Sequence, residues 1–281
     1  MKTKKAILYM CLALIGGIII VGSYFFTHNK PALQENKAQQ KVFVALGDSV
    51  SAGVGLYEPS DSSACDRSNE SYPSLLAKKE NYSLTFLACS GATVQNGILG
   101  AQTIGNGTVA PQIDGLPIQP PDLITLSVGA NDVRWVSLIT KCILSACGSA
   151  GDSQQIGNAI ASFQLDLENT LKKIESKYET DPKVIVSGYY NLYPTSNNVC
   201  TVKSPLEDSE LNWVQTQTNA LNSAIKETVL RHSSVRYLAI DFTGHLLCSS
   251  EPWLQDIGDP APYHPNETGQ ISIAEQLAKL L

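Results

Sequence analysis

With 281 residues, 43% hydrophobic and 16% charged, the chain has material for one good-sized core and too little for two comfortable domains. A formal net charge of −6 leaves no basic stripe to neutralise phosphates, which argues against a nucleic-acid partner. Residues 1–40 hold five Lys and one Glu, so residues 41–281 carry 15 basic against 25 acidic groups, a surface suited to neutral or cationic partners.

The chain opens with Lys2, Lys4 and Lys5, followed by an unbroken apolar run from Ala6 to Phe26, 21 residues without a charge. A spanning helix takes about 20 such residues, whereas a cleaved signal has a core of about 7–15. No good Ala-x-Ala-type cleavage site follows; Val21-Gly22-Ser23 is a weak one. Residues 1–26 therefore read as an N-terminal transmembrane helix or a signal segment, with length favouring the anchor. Cys11 lacks the small residues of a lipoprotein box and reads as a thiol within the membrane. The basic flank should stay in the cytoplasm, which sends the rest outside. Residues 27–40 are polar and aperiodic, as a linker should be. The expected location is extracytoplasmic, tethered by that helix, or secreted if the segment is cleaved.

From Val42 on, short apolar runs alternate with helical patterns. Val42–Leu46, Leu84–Ala88, Leu123–Ser127, Val184–Ser187 and Val235–Ile240 are rich in β-branched residues and suit strands covered on both faces, hence a five-stranded parallel sheet. Helices are expected over Tyr72–Glu80, Ile156–Tyr178, Leu211–His232 and Glu267–Leu281. The Gly/Asn/Pro-rich stretch 97–121 reads as a loop excursion. Strand and helix alternating in this way predict one doubly wound, three-layer α/β/α domain over residues 41–281. In such sheets ligands bind beyond the carboxyl ends of the strands, at the switch in strand order.

Four segments in those positions carry chemistry. A serine hydroxyl needs a base to take its proton, and the oxyanion it creates needs preorganised donors. After the first strand, Gly47-Asp48-Ser49-Val50-Ser51 supplies a serine in a Gly-flanked turn. After the second, Ala88-Cys89-Ser90-Gly91 supplies a backbone N–H at Gly91 with no side chain in the way. Gly129-Ala130-Asn131-Asp132 puts an amide just past the third, and Tyr263-His264-Pro265-Asn266 brings an imidazole ahead of the last helix, with Asn266 as its cap. Each piece alone is commonplace: a turn, a packing glycine, a helix cap, a surface histidine. Their joint occurrence in strand-end positions points to Ser49 as nucleophile, His264 as base, and the Ser49 N–H, Gly91 N–H and Asn131 amide as oxyanion donors. Six cysteines besides Cys11, namely Cys65, Cys89, Cys142, Cys147, Cys200 and Cys248, read as three disulfides in an exported chain, with fifteen pairings open. No Cys-x-x-Cys or His at ligand spacing supports a metal, and no P-loop or Gly-x-Ser-x-Gly elbow occurs. No cofactor is expected.

These blocks, together with Cys65-Asp66-Arg67-Ser68, Tyr72-Pro73, Gly244-His245-Leu246-Leu247-Cys248 and His264-Pro265-Asn266-Glu267-Thr268-Gly269-Gln270, resemble the SGNH (GDSL) hydrolase superfamily over residues 42–281. The likeness is closest to its secreted actinobacterial-type lipases and esterases. The resemblance implies a flavodoxin-like sheet with the first strand between the second and third. It also implies sequential pairing: Cys65 with Cys89, Cys142 with Cys147, and Cys200 with Cys248. The pattern breaks at one point. Family members commonly carry an Asp three residues before the His, and here that position is Ala261. Either the Ala261 carbonyl or Asp259 orients the imidazole, the carbonyl being favoured because an orienter need only accept the Nδ1–H bond. Asp48 reads as a structural acceptor in its turn.

The leading functional expectation is hydrolysis of an acyl ester or lipid through an acyl-serine intermediate, by a monomer. Deacetylation of cell-wall or extracellular polysaccharide on the same fold, and a non-catalytic surface-binding module, are the alternatives.

Overall fold

The computed structural model describes residues 40–61, 64–196, 198 and 204–281. In chain order these form β1 (Val42–Gly47), α1 (Ser49–Ala52), α2 (Tyr72–Glu80), β2 (Ser83–Phe86), β3 (Gln102–Ile104), β4 (Gly107–Val109), a 3-10 turn (Gln112–Gly115) and β5 (Leu123–Ser127). There follow α3 (Trp135–Leu144), α4 (Ala150–Glu175), β6 (Lys183–Ser187), α5 (Asp208–Val229), β7 (Val235–Leu238) and α6 (Glu267–Ala278).

Five strands pair in parallel in the order β2-β1-β5-β6-β7, with Val44 opposite Thr85 on one side and Ile124 on the other. Phe43 to Leu46 of β1 are wholly buried, as a strand covered on both faces requires, while β2 at the edge is only half-covered. The chain leaves β1 toward β2, then crosses back to β5 and continues outward to β7. Right-handed crossovers in opposite directions put helices on both faces. Helices α4 and α5 pack together, and α6 returns to pack on α2. The carboxyl ends of β1, β2 and β5 meet where the winding reverses, and there the sheet leaves a crevice.

Local chemistry sets the boundaries. β1 ends at Gly47 because φ is +140° and an added Cβ would lie 2.5 Å from the Ser127 carbonyl oxygen. The Gln112 side chain accepts from the Gly47 N–H and donates to its carbonyl, both at 2.8 Å, as a neighbouring strand would. So the excursion 97–121, expected as loop, contains the β3–β4 hairpin and a 3-10 turn that caps the central strand. Helix α4 starts at Ala150 rather than Ile156, because Ser149 and Asp152 form a capping box upstream of the first apolar residue. It ends at Glu175, short of Tyr178. α5 likewise begins at Asp208 behind a Glu207–Glu210 box and closes at Val229, before His232. α6 stops at Ala278. α3, ten residues that follow the Asn131 turn, was not expected.

Disulfides join Cys65 to Cys89 and Cys142 to Cys147. Cys248 is disulfide-bonded as well, and the partner expected for it, Cys200, lies outside the described residues. Among the described residues no helix is long and apolar enough to cross a membrane. The expected anchor and most of the linker, residues 1–39, lie outside them.

A buried histidine locks the far end of α4. Glu175 occupies the last position of α4, where the helix dipole disfavours an acid. Its carboxylate is 2.8 Å from His232 Nδ1 and accepts from the Ser234 hydroxyl at 3.1 Å. Glu168, two turns back, meets Arg231 at 2.8 Å and His232 Nε2 at 3.4 Å. With the His232 side chain 5% exposed, His232→Ala should remove both contacts and leave a void, destabilising the fold by about 1–3 kcal/mol. Chemical denaturation would show this as a lower midpoint, with activity at room temperature retained.

Candidate active site

The nucleophile turn is short by construction. Asp48 caps α1 by accepting the Val50 N–H at 3.0 Å, and Gly53, left-handed at φ +80°, ends the helix after one turn. Ser49 is thereby held at the first helical position beyond β1, half-exposed. Its Oγ lies 2.7 Å from His264 Nε2, across 215 residues of sequence.

Gln255 is central to holding the histidine loop. Gln255 accepts the Ala261 N–H through Oε1 at 3.2 Å and donates through Nε2 to the Val54 carbonyl at 3.0 Å, tying the loop to the segment after α1. Its backbone N–H donates to the His264 carbonyl at 2.8 Å. Gly55 permits this contact, since a Cβ there would sit 2.5 Å from Gln255 Oε1. On the other side, Gln270 of α6 donates to the Val50 carbonyl and accepts the Tyr72 N–H, fixing α6 against α1 and α2.

The tautomer is set by the acceptors. His264 Nδ1 is 3.1 Å from the Pro262 carbonyl oxygen and 3.3 Å from that of Ala261. Carbonyl oxygens only accept, so Nδ1 carries the proton and Nε2 offers its lone pair to the Ser49 hydroxyl. Burial lowers the His264 pKa below the usual 6.5, partly offset by the bonds to Pro262 and Ala261, so the ring is a neutral base at neutral pH. Asp259 faces elsewhere: it is exposed and its carboxylate accepts the Asp256 N–H at 2.7 Å.

Two further turns carry Gly91 and Asn131. Gly91 is left-handed at φ +76° and exposed, behind the Cys65–Cys89 bridge. Among the described residues no protein acceptor meets the N–H of Gly91 or of Ser49. Asn131 donates one Nδ2 hydrogen to the Ala92 carbonyl at 2.9 Å, which orients the amide and leaves the second hydrogen for another acceptor. Asp132 beside it accepts the Val94 N–H at 3.0 Å, and burial raises its carboxyl to about 6. Among the described residues no group of three or more His, Cys, Asp or Glu is arranged to hold a metal.

The four residues read from strand-end motifs thus come from four turns at one edge of the sheet. Ser49 and His264 are in contact, and Asn131 is bonded to the turn that carries Gly91. Sequence reasoning missed the Pro262 carbonyl, Gln255, and Tyr189, whose hydroxyl donates to Asp48 beside Ser49 and accepts the Ala130 N–H beside Asn131. Gly188-Tyr189 sits just past β6, so inspecting the carboxyl end of every strand, the fourth included, could have found it.

A serine against a neutral imidazole, with backbone N–H groups left open beside them, is how a serine hydrolase is equipped. Known proteins agree. The model of the GDSL-like Lipase/Acylhydrolase family matches residues 45–270, most of the chain, which therefore belongs to that family and is a serine ester hydrolase. It is 29% identical over 248 residues to a lipase of Streptomyces rimosus, covering 85% of this chain and 86% of the relative. It is 28% identical over 277 residues to Lipase 1 of Streptomyces coelicolor, covering 92% and 91%. The crystal structure of the extracellular lipase of Streptomyces rimosus superposes with a TM-score of 0.69 at 26% identity, over 86% of this chain and all of that one. Phospholipase A1 from Streptomyces albidoflavus gives 0.66 at 28% identity, over 85% and 99%.

Proposed function

We propose that the protein is an extracytoplasmic lipase or esterase that cleaves acyl esters through an acyl-Ser49 intermediate. The observation that carries this is the 2.7 Å approach of His264 Nε2 to Ser49 Oγ. Ser49 Oγ attacks the ester carbonyl while its proton passes to His264 Nε2. The carbonyl oxygen becomes an oxyanion, held by the Ser49 N–H, the Gly91 N–H and the second Nδ2 hydrogen of Asn131. Collapse expels the alcohol, which leaves with the proton from His264. Water then repeats the sequence on the acyl-enzyme and releases the acid. The imidazolium formed in each half-reaction is steadied by the Pro262 and Ala261 carbonyls in place of a carboxylate. This makes the catalytic unit a Ser–His dyad.

Export is supported by the disulfides and by the lysine-flanked apolar segment at residues 6–26. It is also in keeping with the extracellular lipase of Streptomyces rimosus. Residues 1–26 would anchor the chain in the membrane, residues 27–40 would be the tether, and residues 41–281 the hydrolase domain.

A cleft of about 610 Å³ opens at Asp132, the residue after Asn131, between α3 and α4. Val133, Leu138, Ile156, Ala159 and Phe163 line it together with a nearly equal polar share from Asp132, Arg134, Ser137, Lys141, Asp152, Gln155 and Ser162. Its place beside the Asn131 turn and its room for more than an acetyl group make it the proposed acyl site. A panel of p-nitrophenyl esters from acetyl to palmitoyl, run on wild type and Ala159→Trp, tests this. Wild type should hydrolyse long-chain esters. The tryptophan should cut their kcat/KM by about tenfold, the scale of a lost hydrophobic subsite, and spare acetyl. Wild-type activity confined to acetyl esters would instead favour the deacetylase alternative. If a fluorophosphonate probe failed to label Ser49, the non-catalytic reading would stand.

A further inference from the structure

Asp48 is completely buried beside the nucleophile, yet its hydrogen bonds run to other groups than His264. Two of its three donors are local to the sheet end: the Val50 N–H at 3.0 Å and the Ser127 hydroxyl at 3.4 Å. The third, the Tyr189 hydroxyl at 2.5 Å, comes from the end of β6, 141 residues along the chain. The same hydroxyl oxygen accepts the Ala130 N–H at 3.0 Å. A single phenol therefore stands between Asp48, which precedes Ser49, and Ala130, which precedes Asn131.

With Asp48 ionised, above its pKa, which burial raises to about 6, the polarity of this link is fixed. A carboxylate accepts and an amide N–H donates, so the hydroxyl must donate to the first and accept from the second. Burial, first of all, and the nearby Asp48 charge keep the phenol un-ionised, its pKa well above the ordinary 10. Its position is fixed as well. Asn222 of α5 accepts the Tyr189 N–H and donates to the Tyr189 carbonyl, each at 2.7 Å. Gly188 leaves no slack, since a Cβ there would lie 2.3 Å from the Tyr237 hydroxyl. On the far side, Asn131 donates to the Ala92 carbonyl, and Asp132 accepts from the Val94 N–H. The turns bearing Ser49, Asn131 and Gly91 are thus linked through one hydrogen-bonded series.

Resting on the ester-hydrolase reading above, we propose that Tyr189 is a positioning residue whose hydroxyl bridge sets the Ser49 and Asn131 turns at a common aim on the oxyanion. It touches no substrate. It acts on the transition state through the donors it aligns. Misplacement of about 1 Å far from the reacting atoms can cost roughly 100-fold in rate.

The test is Tyr189→Phe in the full chain, which keeps the ring and removes the bridge. On a long-chain p-nitrophenyl ester, kcat should fall by about 10- to 100-fold with KM within about threefold, because a ground-state ester bears no oxyanion. Fluorophosphonate inactivation should slow in parallel. A folded Tyr189→Phe with kcat within about twofold of wild type would overturn the proposal, as would a change confined to KM. If that variant does not fold, Asn222→Ala decides, since it loosens the clamp on Tyr189 but keeps the hydroxyl. A drop in kcat at constant KM supports the bridge, and unchanged kcat refutes it. Ser49→Ala is run beside both: retained activity there would remove the underlying assignment, whatever the tyrosine shows.

Discussion

Replacing His264 with alanine is expected to lower kcat by about five to six orders of magnitude, the scale seen when a serine hydrolase loses its base. Ser49→Ala should do the same, and the double variant should be little worse, since the two act as one unit through a single 2.7 Å contact. Asp259→Asn, by contrast, should leave kcat within about twofold, because that side chain is exposed and turned to the Asp256 N–H. A loss of several orders in Asp259→Asn would show that a carboxylate orients the ring in solution and would sink the dyad. The pH profile of the wild type carries a second check on the same group. In the proposed mechanism His264 works as the neutral base, and burial lowers its pKa, so it stays unprotonated in acid that would protonate a free imidazole. The acid limb of kcat/KM should therefore fall below the ordinary 6.5, and a limb above that value would mean that a carboxylate stabilises the imidazolium.

The second large effect is expected at Asn131. Asn131→Ala removes one of three proposed oxyanion donors and should cost about 100- to 1000-fold in kcat with little change in KM. Its bond to the carbonyl of the buried Ala92 goes too, leaving that acceptor without this donor, so stability should also fall, by about 1–3 kcal/mol. Asn131→Asp separates the two contributions further. It fills the same volume but sets a charge against the developing oxyanion, and should be at least as inactive as alanine. Equal kcat for wild type and Asn131→Ala would remove the amide from the mechanism.

Much of this was legible because the sheet is buried on both faces. Strands such as Leu123–Ser127 announce themselves as continuous apolar runs, and the winding rule then says where functional side chains must lie. Ser49, Gly91 and Asn131 could be placed that way, each in a turn shortly beyond a strand end, whereas His264 lies well past β7, in the loop just before α6. The boundaries of α4 and α5 could not be read from apolar spacing, because capping boxes extend both helices through polar residues. The β3–β4 hairpin was missed for lack of length, each strand being three residues, whereas helix α3 is no shorter than α2 and was simply not read. Pro262 and Tyr189 were missed for another reason. One contributes a carbonyl, which every residue has, and the other a hydroxyl whose partners lie far off in sequence. Neither leaves a local pattern.

The ties made by Gln255 and Gln270 have a bearing on when the protein becomes active. Val50 accepts from Gln270 across 220 residues, and Val54 from Gln255 across 201. A chain that emerges from the ribosome or crosses a membrane amino end first shows its serine long before the segment that deprotonates it arrives. Until residues 252–278 have docked, Ser49 is an ordinary alcohol in a turn. If Ser49 and His264 act as proposed, an ester met before that point is safe from a half-made enzyme, and turnover reports that the carboxyl-terminal helix has seated.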